Sequence, residues 1–221
     1  VEMLVRSRAF SNFTAAAPGL AELVTIGKIW SMATELEGGL PVWDRLIVDC
    51  PATGHGLALL ETAGNVRELA GGGPIRDQAE SIQRVVEHPA ATGIAVVARP
   101  DELAVTEALE ALPGLRRRGL PVALAVLNAV SPARFRDEEE PALRRAAAEA
   151  PEPTRAAAAT GLRHLERQRV EDGHRRRMRE ESGLPMLELP AVVRRRFDVA
   201  ALETLARAVA DQLLAGRGAA G

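Results

Sequence analysis

The chain has 221 residues, a net charge of −2 and 47% hydrophobic residues, enough for an α/β domain with its own core and without a global field that draws nucleic acid. Aromatic residues are only 3%, which removes the stacking platforms of single-strand binders. Cys50 is the single cysteine, so an internal disulfide and a multi-cysteine metal site are both excluded; no apolar run reaches the roughly 20 residues of a membrane span and no signal peptide opens the chain, so a cytoplasmic location is expected.

Pro18-Gly19-Leu20 begins a helical stretch in which Leu20, Leu23, Ile26 or Gly27, Trp30 and Ala33 recur every three or four residues, with Gly38-Gly39 as its stop. Leu46-Ile47-Val48, bounded by Asp44 and Asp49, reads as a buried strand. A loop follows, Cys50-Pro51-Ala52-Thr53-Gly54-His55-Gly56, then helices over about 57–69 and 74–88 separated by Gly71-Gly72-Gly73. Ile94–Ala98 is a second buried strand and Asp101–Leu112 a helix with Val105, Leu109 and Leu112 on one face. Val122–Leu127 is a third strand. Strands alternating with helices imply right-handed crossovers and a mostly parallel sheet.

From 132 to 183 the chain is rich in Ala, Arg and Glu and reads as an exposed, charged helical segment, with Glu171–Arg175 and Asp172–Arg176 as favourable pairs four apart. The run Arg175-Arg176-Arg177 is interleaved with acids, the mark of a solvated helix rather than of a nucleic-acid partner. Pro185–Pro190 holds a last strand, and a closing helix over about 199–214 offers Leu202, Leu205, Val209 and Leu213 as its core face, before a frayed tail from Arg217.

Open parallel sheets bind ligands at the carboxyl ends of their strands. Three proposed strands end in polar groups: Asp49, Arg99 with Asp101, and Asn128. Read from the residues alone, Asp49 is either an acid that orients a magnesium ion through water or a cap for the next loop. Pro51 and Gly54 give that loop one stiff and one permissive joint, so it can swing its N–H groups towards a phosphate. His55 reads as a loop-stabilising residue before a general base, Cys50 as a small buried filler, and Asn128 as a turn residue at a strand end.

The segment W-D-R-L-I-V-D-C-P-A-T-G-H-G-L-A-L-L, Trp43 to Leu60, resembles the switch II region of the arsenite-transporting and tail-anchored-protein-targeting (anion-transporting) ATPases, with Ala52 set between the proline and the threonine. Three further stretches carry the resemblance: P-G-L-A-E-L-V-T-I-G-K-I-W (Pro18–Trp30), A-R-P-D-E-L-A-V-T-E (Ala98–Glu107) and Leu127-Asn128-Ala129-Val130. It implies a bacterial member of that family, with residues 1–221 as one α/β domain built on a mostly parallel, doubly wound sheet of the P-loop nucleotide hydrolase type. It implies ATP and Mg as cofactors, Asp49 as the switch II acid reaching Mg via water, and Pro51, Thr53, Gly54 and His55 as the loop that senses the γ-phosphate. Asn128 would face the adenine through its amide donor and acceptor, with Pro190 beside the same base. A homodimer, or a heterodimer with a paralogous ATPase, is the expected assembly, with a protein client or membrane partner.

Three departures accompany the resemblance. No Gly-rich loop ending in G-K-[ST] is present: Lys28, the sole lysine, is followed by Ile29, and Glu22 stands where a first glycine would be. The family's phosphate-loop portion is therefore expected to lie upstream of an N-terminally incomplete domain. Residues 57–89 form only a short helical insert, and the cysteines that bind zinc or metalloid in the family are missing. The function expected is Mg–ATP hydrolysis coupled to a conformational change for transport or targeting; the alternative is a pseudo-ATPase subunit that binds an active paralogue, and a third reading is an unrelated α/β enzyme.

Overall fold

Three apolar runs find one another in space. Ile94–Ala98 (β3), Val122–Val130 (β4) and Met186–Pro190 (β5) form a parallel sheet in the order β3-β4-β5. The computed structural model describes residues 20–51, 53–69 and 72–218; Pro18, Gly19, Ala52 and Gly71, each named in the motifs above, lie outside the described residues. The chain divides into two units, one comprising residues up to Gly93 together with Leu115–Pro121, the other Ile94–Gly114 with Val122–Gly221.

In the first unit three helices pack on one another: α1 (Leu20–Ala33), α2 (Thr53–Leu69) and α3 (Pro74–Glu87). Ile26, Leu59, Ala63, Ala79, Ile82 and Val86 are their buried hydrophobic residues. Arg118 pairs with Glu61 on α2. Helix α1 ends at Ala33, short of the expected stop at Gly38-Gly39. Those glycines have φ of 61° and 84° and instead turn a two-residue hairpin between β1 (Leu36–Glu37) and β2 (Leu40–Pro41), the job for which paired positive φ suits glycine. Lys28 sits inside α1, so it belongs to a helix and not to a phosphate loop.

The buried strand expected over residues 44–49 is not formed. These residues have no regular structure, Ile47 is 93% exposed and Val48 40%. A strand needs a neighbour for its N–H and C=O groups, and no described strand pairs with this segment.

The second unit carries the sheet. Asp101 accepts a hydrogen bond from the Ala104 N–H at 2.9 Å and so caps α4 (Glu102–Arg117); Val105, Ala108 and Leu112 are buried along it. After β4 come a 3-10 turn (Asp137–Glu139), α5 (Glu140–Glu149) and the 29-residue α6 (Thr154–Ser182). Helix α6 buries only Ala158, Gly161, Leu165, Met178 and Ser182. The glycine at 161 lets Phe135 and Leu143 approach: a Cβ there would lie 3.2 Å from each.

The pairs expected four apart within α6 are replaced by one pair three apart and by bonds to other elements. Glu171 bonds Ser131, while Arg175 pairs with Asp172 at 2.9 Å and with Glu188 of β5 at 3.1 Å. Asp198 caps α7 (Val199–Gly218) by accepting from the Ala201 N–H at 2.9 Å. The inward face of α7 keeps Leu205 and Val209, which are half-buried as expected, but not Leu202 and Leu213. Ala201 is buried, whereas Leu202 and Leu213 are more than half exposed. Gln212 accepts from the Glu188 N–H at 2.8 Å and donates to the Glu188 carbonyl at 2.7 Å, occupying both backbone groups of that residue in the middle of β5.

In class this is a mixed α/β protein with a three-stranded parallel sheet. No helix among the described residues is long and apolar enough to cross a membrane.

Candidate functional site

The carboxyl edge of the sheet is built by register. Ala98, the last residue of β3, lies opposite Leu127, and Leu127 opposite Glu188, so β4 and β5 run on past the end of β3. The next aligned pair is Val130 with Pro190. Three steps on β4 therefore match two on β5, and Asn128-Ala129 contains one extra residue, a bulge. Bulges bend a strand and re-aim side chains where pairing ends. Here Leu127 is fully buried and Asn128, the next residue, is exposed.

Ala129 has φ of 60°. A residue with a Cβ in that left-handed conformation costs about 1–2 kcal/mol, so neighbouring contacts must hold it. Two do so on either side of the chain. The Ala191 N–H donates to the Val130 carbonyl at 2.8 Å. The Glu171 carboxylate accepts from the Ser131 N–H at 3.0 Å and from the Ser131 hydroxyl at 2.8 Å.

The structure thus brings Asn128 and Pro190 together, through the Val130–Pro190 pairing. Arg99, in the residue after β3, shares the edge and lies 3.9 Å from Asp101, whose other oxygen caps α4. Capping accounts for Asp101 without a ligand.

The remaining predicted residues gather in the first unit at the start of α2. That helix begins at Thr53, four residues earlier than expected, so Thr53, Gly54 and His55 form its first turn instead of a loop. Gly54 and His55 are exposed; Pro51 and Asp49 are exposed in the irregular segment before it. Gly56 is buried, and a Cβ there would lie 2.8 Å from the Pro51 carbonyl oxygen, so the chain enters the helix by a tight turn over that glycine.

Cys50 is exposed, against the expected buried filler. Desolvation of its sulfur, and secondarily the Asp49 carboxylate beside it, push the thiol above its ordinary value. Both effects favour the neutral thiol, which does not suit a nucleophile.

Along α6 runs an open groove of about 460 Å³ lined by Asp137, Arg169, Asp172, Arg175, Arg176 and Arg179. Its arginines are largely engaged: Arg169 with Asp137 and Glu140, Arg175 with Asp172 and Glu188, Arg179 with Glu188. These bonds raise Arg169 further and hold Glu140 below the usual carboxylate range, through Arg169 first and Arg144 second.

For a bound nucleotide the fit is divided. The exposed Asn128 amide suits a purine edge, having both a donor and an acceptor. No described residue forms a cradle for β- and γ-phosphates, since the only Gly-Lys pair lies inside α1. Among the described residues no three acids, histidines or cysteines cluster around a metal position, and a lone Asp49 could hold Mg only alongside ligand oxygens.

No family model matches the chain. It is similar to ATPase BagA of Mycobacterium tuberculosis, 34% identical over 127 residues, which cover 57% of this chain and 37% of that protein. Proteins that carry ATPase in their names, from a second Mycobacterium tuberculosis strain and from Mycobacterium bovis, match at the same identity and coverage. The chain therefore spans little more than a third of the length of these curated relatives.

Proposed function

We propose that this chain supplies the base-facing edge and the switch segment of an ATP-binding, ATPase-type protein of the arsenite-transporting and tail-anchored-protein-targeting kind. In this reading Asn128, beside Pro190, recognises adenine, and Asp49 lies near Mg. Pro51, Thr53, Gly54 and His55 respond to the terminal phosphate, coupling the nucleotide state to a partner in transport or targeting. The observation that carries it is the bulge that ends β4, which exposes Asn128 next to the strand end holding Pro190. The similarity to proteins named as ATPases supports the same reading. A helix that starts at Thr53 suits the switch role, because its first N–H groups and dipole favour an anion.

Titration with a fluorescent ATP analogue, competed by ATP and by GTP, tests the proposal. The chain is expected to prefer ATP, and Asn128→Ala to weaken ATP about tenfold, the worth of one well-made polar contact, while leaving GTP unchanged. Equal competition by the two nucleotides would refute it.

A second reading is favoured by the helical setting of Lys28: the chain serves as a non-hydrolysing partner of an ATPase that brings its own phosphate loop. It expects negligible turnover by this chain alone and a stable complex with such an ATPase. Steady Mg-dependent turnover by the isolated chain would exclude it.

A further inference from the structure

We propose that Glu171 is a positioning residue that locks the Asn128–Val130 bulge. Its carboxylate grips Ser131, the first residue after the bulge, with both oxygens: Oε2 accepts from the backbone N–H at 3.0 Å and Oε1 from the hydroxyl at 2.8 Å, both partly buried. Ala129, two residues before Ser131, is held at φ 60°. Released on that side, an alanine returns to the extended or right-handed regions, and the extra residue of β4 can move along the strand. Asn128 would then lose its fixed direction.

Helix α6 is a firm base for this grip. It holds the same stretch at other points: His164 meets the Pro132 carbonyl at 3.2 Å and stands edge-on to Phe135, and Arg169 bonds Asp137 at 2.7 Å. Downstream on α6, Arg179 bonds Glu188 of β5 at 2.7 Å and Arg177 bonds Thr106 of α4 at 2.9 Å. Glu171 therefore reaches the bulge from an element fixed independently to α4, to β5 and to the segment after β4. A carboxylate that accepts two bonds from one residue sets both the distance and the direction of the chain there.

Amide hydrogen exchange tests the lock directly. Glu171→Ala should lower protection at Ser131 roughly tenfold or more, because a lost bond to a charged acceptor opens the site locally, with a smaller fall at Ala191. Protection across Ala95–Ala98 and Ala125–Leu127 should stay unchanged. Glu171→Gln can still accept the N–H bond and should recover most of the Ser131 protection. Ser131→Ala removes only the hydroxyl bond and should give an intermediate loss, which keeps the test alive if the alanine variant at 171 does not fold. Unchanged exchange at Ser131, or a uniform fall across the sheet that Gln fails to recover, would overturn the proposal.

The consequence for ligand binding rests on the reading of Asn128 as the adenine-facing residue. If so, Glu171→Ala reduces the preference for ATP over GTP as Asn128→Ala does, and Glu171→Gln restores it. If Asn128→Ala leaves that preference intact while Ser131 still loses protection, the base-facing reading fails and the lock stands.

Discussion

Two apolar runs, Leu46-Ile47-Val48 in the first unit and Val122–Leu127 in the second, are of the same kind and meet opposite ends. The second lies in the middle of a parallel sheet, with Leu127 fully buried. The first has no regular structure and leaves Ile47 almost wholly in water. Side-chain character proposes a strand, but the backbone decides it, because every strand needs a partner for its polar groups. Val122–Leu127 has one on each side; residues 44–49 have none among the described strands.

The sharpest way to break that contrast is a pair of truncations. Leu127→Ala should cost about 2–5 kcal/mol as a buried cavity, and Ile47→Ala should stay within about 0.5 kcal/mol, like other surface changes. Urea unfolding of both variants measures this, and equal losses would mean that Ile47 is covered in solution. A smaller difference separates two glycines near the start of α2. Gly56→Ala drives a Cβ against the Pro51 carbonyl oxygen and should cost about 1–3 kcal/mol through overpacking. Gly54→Ala meets nothing within 4 Å and should be neutral, or stabilise by up to about 1 kcal/mol as a better helix former. Thermal melts of the two would rank them.

The smallest effect is electrostatic and belongs to the second unit. Glu140 has its folded-state value lowered by Arg169 and Arg144. A lowered carboxylate adds stability above its unfolded value, and that part is lost as pH falls through the folded value. Glu140→Gln should therefore flatten the acid side of the stability curve, below about pH 4.5, and leave the neutral plateau nearly unchanged. An unaltered acid limb would show the network to be idle in solution.

Much of the second unit was legible in the sequence. Strands β3, β4 and β5 are short apolar runs bounded by turn residues, and α4 and α7 start within a residue of the places expected, though their capping aspartates, 101 and 198, emerge only in the structure. Less legible was which face of α7 turns inward. Apolar spacing favours 202, 205, 209 and 213; the structure half-buries Leu205 and Val209 but exposes Leu202 and Leu213, and adds Ala201 and Gln212, since small residues allow close approach and a side-chain amide can satisfy a strand edge. Of the candidate site, the nearness of Asn128 to the Pro190 strand end was implied by the family resemblance alone; the strand order, which puts Val130 opposite Pro190, is read from the structure. The positive φ at Ala129 and the grip of Glu171 on Ser131 did not, because forty residues separate the latter two and no local pattern links them. The start of α2 at Thr53 was hidden by Gly54 and Gly56, which read as loop residues when sterics at Pro51 are unknown.

The Gln212 amide has one more implication. By imitating a neighbouring backbone at Glu188, it turns that margin of the sheet into a dead end: a newcomer would first have to evict a side chain already bonded on both of its arms. Enlargement of this sheet, whether by another stretch of polypeptide or by a second molecule, is thereby steered to the opposite flank, along Ile94–Ala98.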